Sequence, residues 1–122
     1  MRIDKLVNAT IAALNDVKAR DIVVLDVKKM TSLFDKVIIA SADSSRQSKA
    51  LSSRVQEKLK GLGAAVHGVE GEQAGEWILV DLGAVIVHIM QPATRQYYNL
   101  EELWTPAGRG RRRRTGSARS AA

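Results

Sequence analysis

The sequence predicts an α/β domain built on a mixed sheet, with its helices packed on one main face. Two stretches with apolar residues at helical spacing alternate with short β-branched runs, and the order is helix, two strands, helix, three strands and a terminal helical piece. The stretch EWILVDLGAVIVHIM, residues 76–90, is apolar on both faces of a predicted hairpin, so both sides of the sheet must be covered by something.

Residues 4–19 place Leu6, Val7, Ile11, Leu14 and Val17 on one stripe, with Asp4 suited to the positive end of the helix dipole. Residues 21–27, DIVVLDV, and residues 36–41, KVIIAS, read as buried strands joined by KKMTSLFD. Asp43, Ser44 and Ser45 offer acceptors to the free amides of a second helix, expected over about 45–60 and ended by Gly61 and Gly63. AAVHGV is a further candidate strand and GEQAG a loop. The hairpin is expected to turn at Leu82-Gly83, where glycine permits a positive φ. Pro92 opens a short helical segment through Arg95 to Tyr98, and LEELW follows.

At 122 residues the chain suits one domain. The absence of cysteine excludes a disulfide framework or thiolate metal site. No apolar run approaches the ~18 residues of a membrane span and no signal-peptide core is evident, so a cytoplasmic protein with no membrane contact is expected. The net charge of +6 belongs wholly to residues 105–122, where Arg109, Arg111, Arg112, Arg113, Arg114 and Arg119 lie, while residues 1–104 hold thirteen basic and thirteen acidic side chains. A domain over 1–104 and a disordered Arg-rich tail over 105–122 follow. The run Arg111, Arg112, Arg113 and Arg114 could meet RNA phosphates, but without interleaved aromatics it implies no base recognition.

If Asp81 pairs with Ala84, Trp77 lies opposite His88 and Leu79 opposite Ile86. One face of the hairpin is then Ile78, Val80, Val85, Val87 and Ile89, a floor for the helices. The other carries Trp77, Leu79, Asp81, Ile86, His88 and Met90, a mixture suited either to a partner or to a fold-over by residues 97–104. Catalytic candidates are thin: His67, His88, Asp26, Asp35, Asp81 and the serines near Ser44, with none of the common nucleotide or metalloprotease motifs. The strand-to-helix turn ASADSSRQ could bind phosphate through free amides, but no Asp-x-Asp pair follows for two metals, and capping is the plainer role. No catalytic residue, metal site or cofactor is assigned; a nucleotide-binding enzyme using Ser41 to Gln47 is the alternative.

DIVVLDV, ASADSSRQ, GVEGEQAGEWILVDLGAVIVHIMQ and RQYYNLEELW together resemble the ribosomal silencing factor, or iojap-like, family. The specific elements are GVEG before W-x-x-x-D-x-G, then V-H-x-M and R-x-x-Y-x-L-E-x-L-W; Ala42 departs from the glycine usual before the Ser-Arg element. The resemblance implies a fold similar to nucleotidyltransferases without their catalytic carboxylates, often dimeric when free. It also implies binding to the large ribosomal subunit through ribosomal protein fourteen, so that the small subunit cannot join and translation falls when nutrients are scarce. Trp77, Leu79, Ile86, His88, Met90 and Tyr98 would then be contacts, with Glu70, Asp81 and Arg95 as a polar rim.

Overall fold

A computed structural model describes residues 1–104. The expected Arg-rich tail, with Arg111 to Arg114, lies outside the described residues. The elements are α1 (Ile3–Asp16), β1 (Arg20–Asp26), β2 (Lys36–Ser41), α2 (Ser45–Gly61), β3 (Gly68–Glu70), β4 (Trp77–Asp81), β5 (Val85–Met90), α3 (Pro92–Tyr98) and α4 (Leu100–Leu103). They form one five-stranded mixed sheet in the order β1-β2-β5-β4-β3, in which β2 and β5 are parallel and the other pairs antiparallel.

Alternation of side chains across the strands divides the interior into two parts. Leu6, Ala13 and Leu14 of α1 and Leu51, Val55 and Leu59 of α2 pack on Ile38, Ala40, Ile78, Val80, Val85, Val87 and Ile89. Full burial of such side chains stabilises by about 1.5–3 kcal/mol each. On the reverse face Val37, Ile39 and Met90 join Val27 beneath Leu25, Phe34, Trp77, Leu100 and Trp104. All six residues of β5 are buried because it is the middle strand and has cover on both sides.

Three local expectations are corrected. The first helix ends at Asp16 rather than 19, because Lys18 takes φ 65° and Ala19 N–H returns to the Leu14 carbonyl. Of the candidate AAVHGV strand only Gly68 and Val69 fall in β3, which runs one residue further to Glu70. The hairpin register also differs: Leu82 N–H donates to the Val85 carbonyl at 2.9 Å, so the turn is Gly83-Ala84, Trp77 lies opposite Met90, and Leu79 lies opposite His88. Asp81 Oδ1 accepts from Gly83 N–H at 2.8 Å, and Gly83 sits at φ +86°. Each strand slides one residue relative to the expected pairing, an even total shift that leaves every side chain on its expected face.

Candidate functional site

The reverse face is assembled from cross-strand rows. Glu70, Leu79, His88, Ile39 and Val23 form one row, and Gly68, Asp81, Ile86, Val37 and Leu25 the next. Trp77, Met90 and Ser41 extend it toward the start of α3. Its cover is uneven. Over β2 and β5, Leu100 and Trp104 close on Met90, Val37 and Ile39, and Phe34 meets Trp104 edge to face at 5.6 Å between centroids. Over β4 and β3, Trp77, Leu79 and Asp81 stay half-buried and Glu70 is exposed. The fold-over by residues 97–104 is therefore realised on one half of the face.

Tyr98 marks the border between the halves. Its ring lies 4.7 Å from that of Trp77, yet the residue is 53% exposed, and neighbouring Tyr97 is 80% exposed. Beneath them Trp77 Nε1–H donates to His88 Nδ1 at 3.0 Å. A neutral imidazole with Nδ1 accepting carries its proton on Nε2. Burial pushes the His88 pKa down to about 4, which keeps the ring neutral near pH 7.

Two expected positions change character. Met90 is fully buried under α4, and Arg95 is interior rather than at the rim. Arg95 Nη1–H donates to the Asp21 carbonyl at 2.6 Å and to Ser41 Oγ at 2.8 Å, while Nη2–H and Nε–H reach Glu101 Oε2 at 2.8 and 3.1 Å. It joins β1, β2, α3 and α4, so its part is to position Tyr98 and Trp104. Ile86 and His88 are each only 8% exposed, which leaves Trp77, Leu79, Tyr98, Glu70 and Asp81 as the accessible members of the expected set. Phe34 and Glu101 were missed by sequence reasoning. Glu101 had a signal in its spacing from Arg95 across Asn99, the left-handed residue (φ 47°) that turns α3 into α4.

The strand-to-helix turn is filled by its own chain. Ser44 Oγ accepts from Gln47 N–H, Gln47 Oε1 accepts from Asp43 N–H, and Gln91 Nε2–H donates to Ser45 Oγ and the Gly75 carbonyl. The guanidinium of Arg20, hydrogen-bonded to Asp43, holds that carboxyl below its usual range. Among the described residues no three His, Cys, Asp or Glu side chains gather to hold a metal, and no helix is long and apolar enough to cross a membrane.

Fold and site together define an α/β domain with one helix-covered sheet face and one apolar face closed over half its width. The chain belongs to the ribosomal silencing factor family: the family model described as "Ribosomal silencing factor during starvation" matches residues 1–121. The ribosomal silencing factor of Chromobacterium violaceum is 51% identical over 104 residues, 85% of each chain. A crystal structure of a protein from the same organism superposes with a TM-score of 0.84 at 51% identity, covering 85% of this chain and 87% of that one. The mouse protein named "mitochondrial assembly of ribosomal large subunit protein 1" is 32% identical over 102 residues, which span 81% of this chain and 45% of the mouse protein.

Proposed function

We propose that the protein docks on the large ribosomal subunit through ribosomal protein fourteen and sterically prevents the small subunit from joining, lowering translation under nutrient limitation in the cytoplasm. The observation that carries the reading is the uncovered half of the sheet, where Trp77 and Tyr98 stand side by side next to Leu79, with Glu70 and Asp81 on the flank. Large aromatic side chains at the centre of a patch with a polar rim have the composition of binding hot spots. Family membership supports the ribosomal target, as does the large-subunit role in the name of the mouse relative. Occlusion needs only contact and bulk, and a free homodimer formed through the same patch would have to open for docking.

The test is co-sedimentation with purified large subunits. Trp77→Ala should abolish it while circular dichroism stays native, and undiminished co-sedimentation of a folded Trp77→Ala protein would reject this surface.

A further inference from the structure

Charge in the domain is unevenly placed. Residues 68–104 carry Glu70, Glu72, Glu76, Asp81, Glu101 and Glu102 against the single base Arg95, which is already bound to Glu101. Glu70 and Asp81 sit on the open half of the reverse face, and among the described residues neither has a basic partner. Lys28 and Lys29 are on the β1–β2 connection, at the opposite edge of the sheet from β3, and Lys36 is paired with Asp26. The open half thus combines two carboxylates that lack a base with the accessible rings of Trp77, Tyr97 and Tyr98.

The same chain supplies a complement. Immediately after Trp104 come residues 105–122, whose six arginines are the entire net charge of the protein and whose remaining residues are mostly Gly, Ser, Ala and Thr. Trp104 is packed against Phe34 and the cluster of Val37, Ile39 and Met90, which fixes where this segment begins. From β2 to β3 the sheet order gives three inter-strand steps, about 14 Å. Arg109 to Arg114 stand five to ten residues beyond Trp104, a reach of roughly 17–34 Å when extended. A chain of that length is long enough to cover the distance to Asp81 and Glu70.

We propose that segment 105–122 is an internal ligand of the open half of this face and competes there with the docking partner; this rests on the docking reading above. Guanidinium groups suit both features of the patch, forking onto the Glu70 and Asp81 carboxylates and stacking on the tyrosine and tryptophan rings. A short tether holds the segment at an effective concentration in the millimolar range, so weak contacts suffice for partial occupancy. Because the contacts are exposed ion pairs, salt releases the segment. It acts as a throttle on docking rather than a lock.

The test compares the full chain with a full-length variant carrying R111Q, R112Q, R113Q and R114Q. At about 50 mM salt, the amide signals of Glu70, Leu79 and Asp81 and the Trp77 indole signal should differ between the two proteins, and the difference should vanish near about 500 mM. Identical spectra at low salt would overturn the proposal. In titrations with purified large subunits at low salt, the variant should bind about threefold or more tighter. Weaker binding by the variant would make the segment an RNA contact and overturn competition. If neither protein binds the subunit, the docking reading fails, while the nuclear magnetic resonance comparison still decides whether the segment occupies the face.

Discussion

Trp77 Nε1–H donates to His88 Nδ1 at 3.0 Å, and through this bond an accessible aromatic of the open patch is set by a buried imidazole on the neighbouring strand. The bond requires neutral His88. In the folded protein the imidazole is held neutral down to about pH 4, whereas in the unfolded chain it protonates near its ordinary value of 6.5. The unfolded state therefore binds more protons between those values, and stability falls as pH drops through that window. The loss at the lower end is on the order of 3 kcal/mol. Urea denaturation at steps from pH 7 to pH 4.5 should show this slope, and His88→Leu should flatten it. Asp26 and Asp43, whose pKa values are lowered, lose their stabilising contribution at more acidic pH and do not share the window.

Arg95 links four elements through one guanidinium. Arg95→Ala would leave the Asp21 carbonyl, Ser41 Oγ and Glu101 without this donor, at a cost of about 2–3 kcal/mol. The loss should be concentrated in the C-terminal helices, since β5 keeps its sheet partners. Hydrogen exchange should then accelerate in α3 and α4 well before β5, and docking should weaken because Tyr98 is no longer held beside Trp77. Arg95→Lys keeps the charge but not the fork, and should recover only part of both losses.

Legibility from sequence followed the strength of the physical constraint. Parity across the β4–β5 hairpin was readable because exposing Ile78, Val80, Val85, Val87 and Ile89 would cost several buried side chains at once, and it survived an error in the register. Register itself depended on Asp81 capping Gly83, a local bond that hydrophobic pattern does not encode. Arg95 was misplaced because a lone arginine in a short helix is ordinarily solvated; its burial depends on the Asp21 carbonyl and Ser41, both more than fifty residues away. The reverse face was recognised as needing cover, but the extent of that cover was set by Phe34 and Trp104, which meet only in three dimensions.

Met90 and Leu79 separate folding from docking on one face. Met90 is fully buried beneath α4, so Met90→Ala should cost about 2–5 kcal/mol through the cavity it leaves, visible as an earlier urea midpoint. Leu79 is half-buried on the open half, opposite His88 and Glu70. Leu79→Asp should change the midpoint less than Met90→Ala and lower large-subunit affinity about tenfold or more, as expected for a residue near the centre of a contact. A Leu79→Asp protein that is folded and binds normally would remove this position from the interface.

Gly71 determines whether Glu70 stands on the open half at all. It follows β3 directly at φ +87°, and a Cβ there would collide with the Trp77 carbonyl oxygen. Gly71→Ala combines left-handed strain with a backbone clash, so a loss of at least about 2 kcal/mol is expected. The three-residue edge strand β3 should detach first, seen as loss of protection at Val69 while β5 amides stay protected. Gly61 provides the contrast, since it ends α2 at ordinary φ and a Cβ added there would meet nothing within 4 Å. Gly61→Ala should stabilise by about 0.4–1 kcal/mol through the unfolded chain alone. Opposite signs for the two substitutions in the same urea experiment would locate the constraint at the β3–β4 connection rather than in glycine content as such.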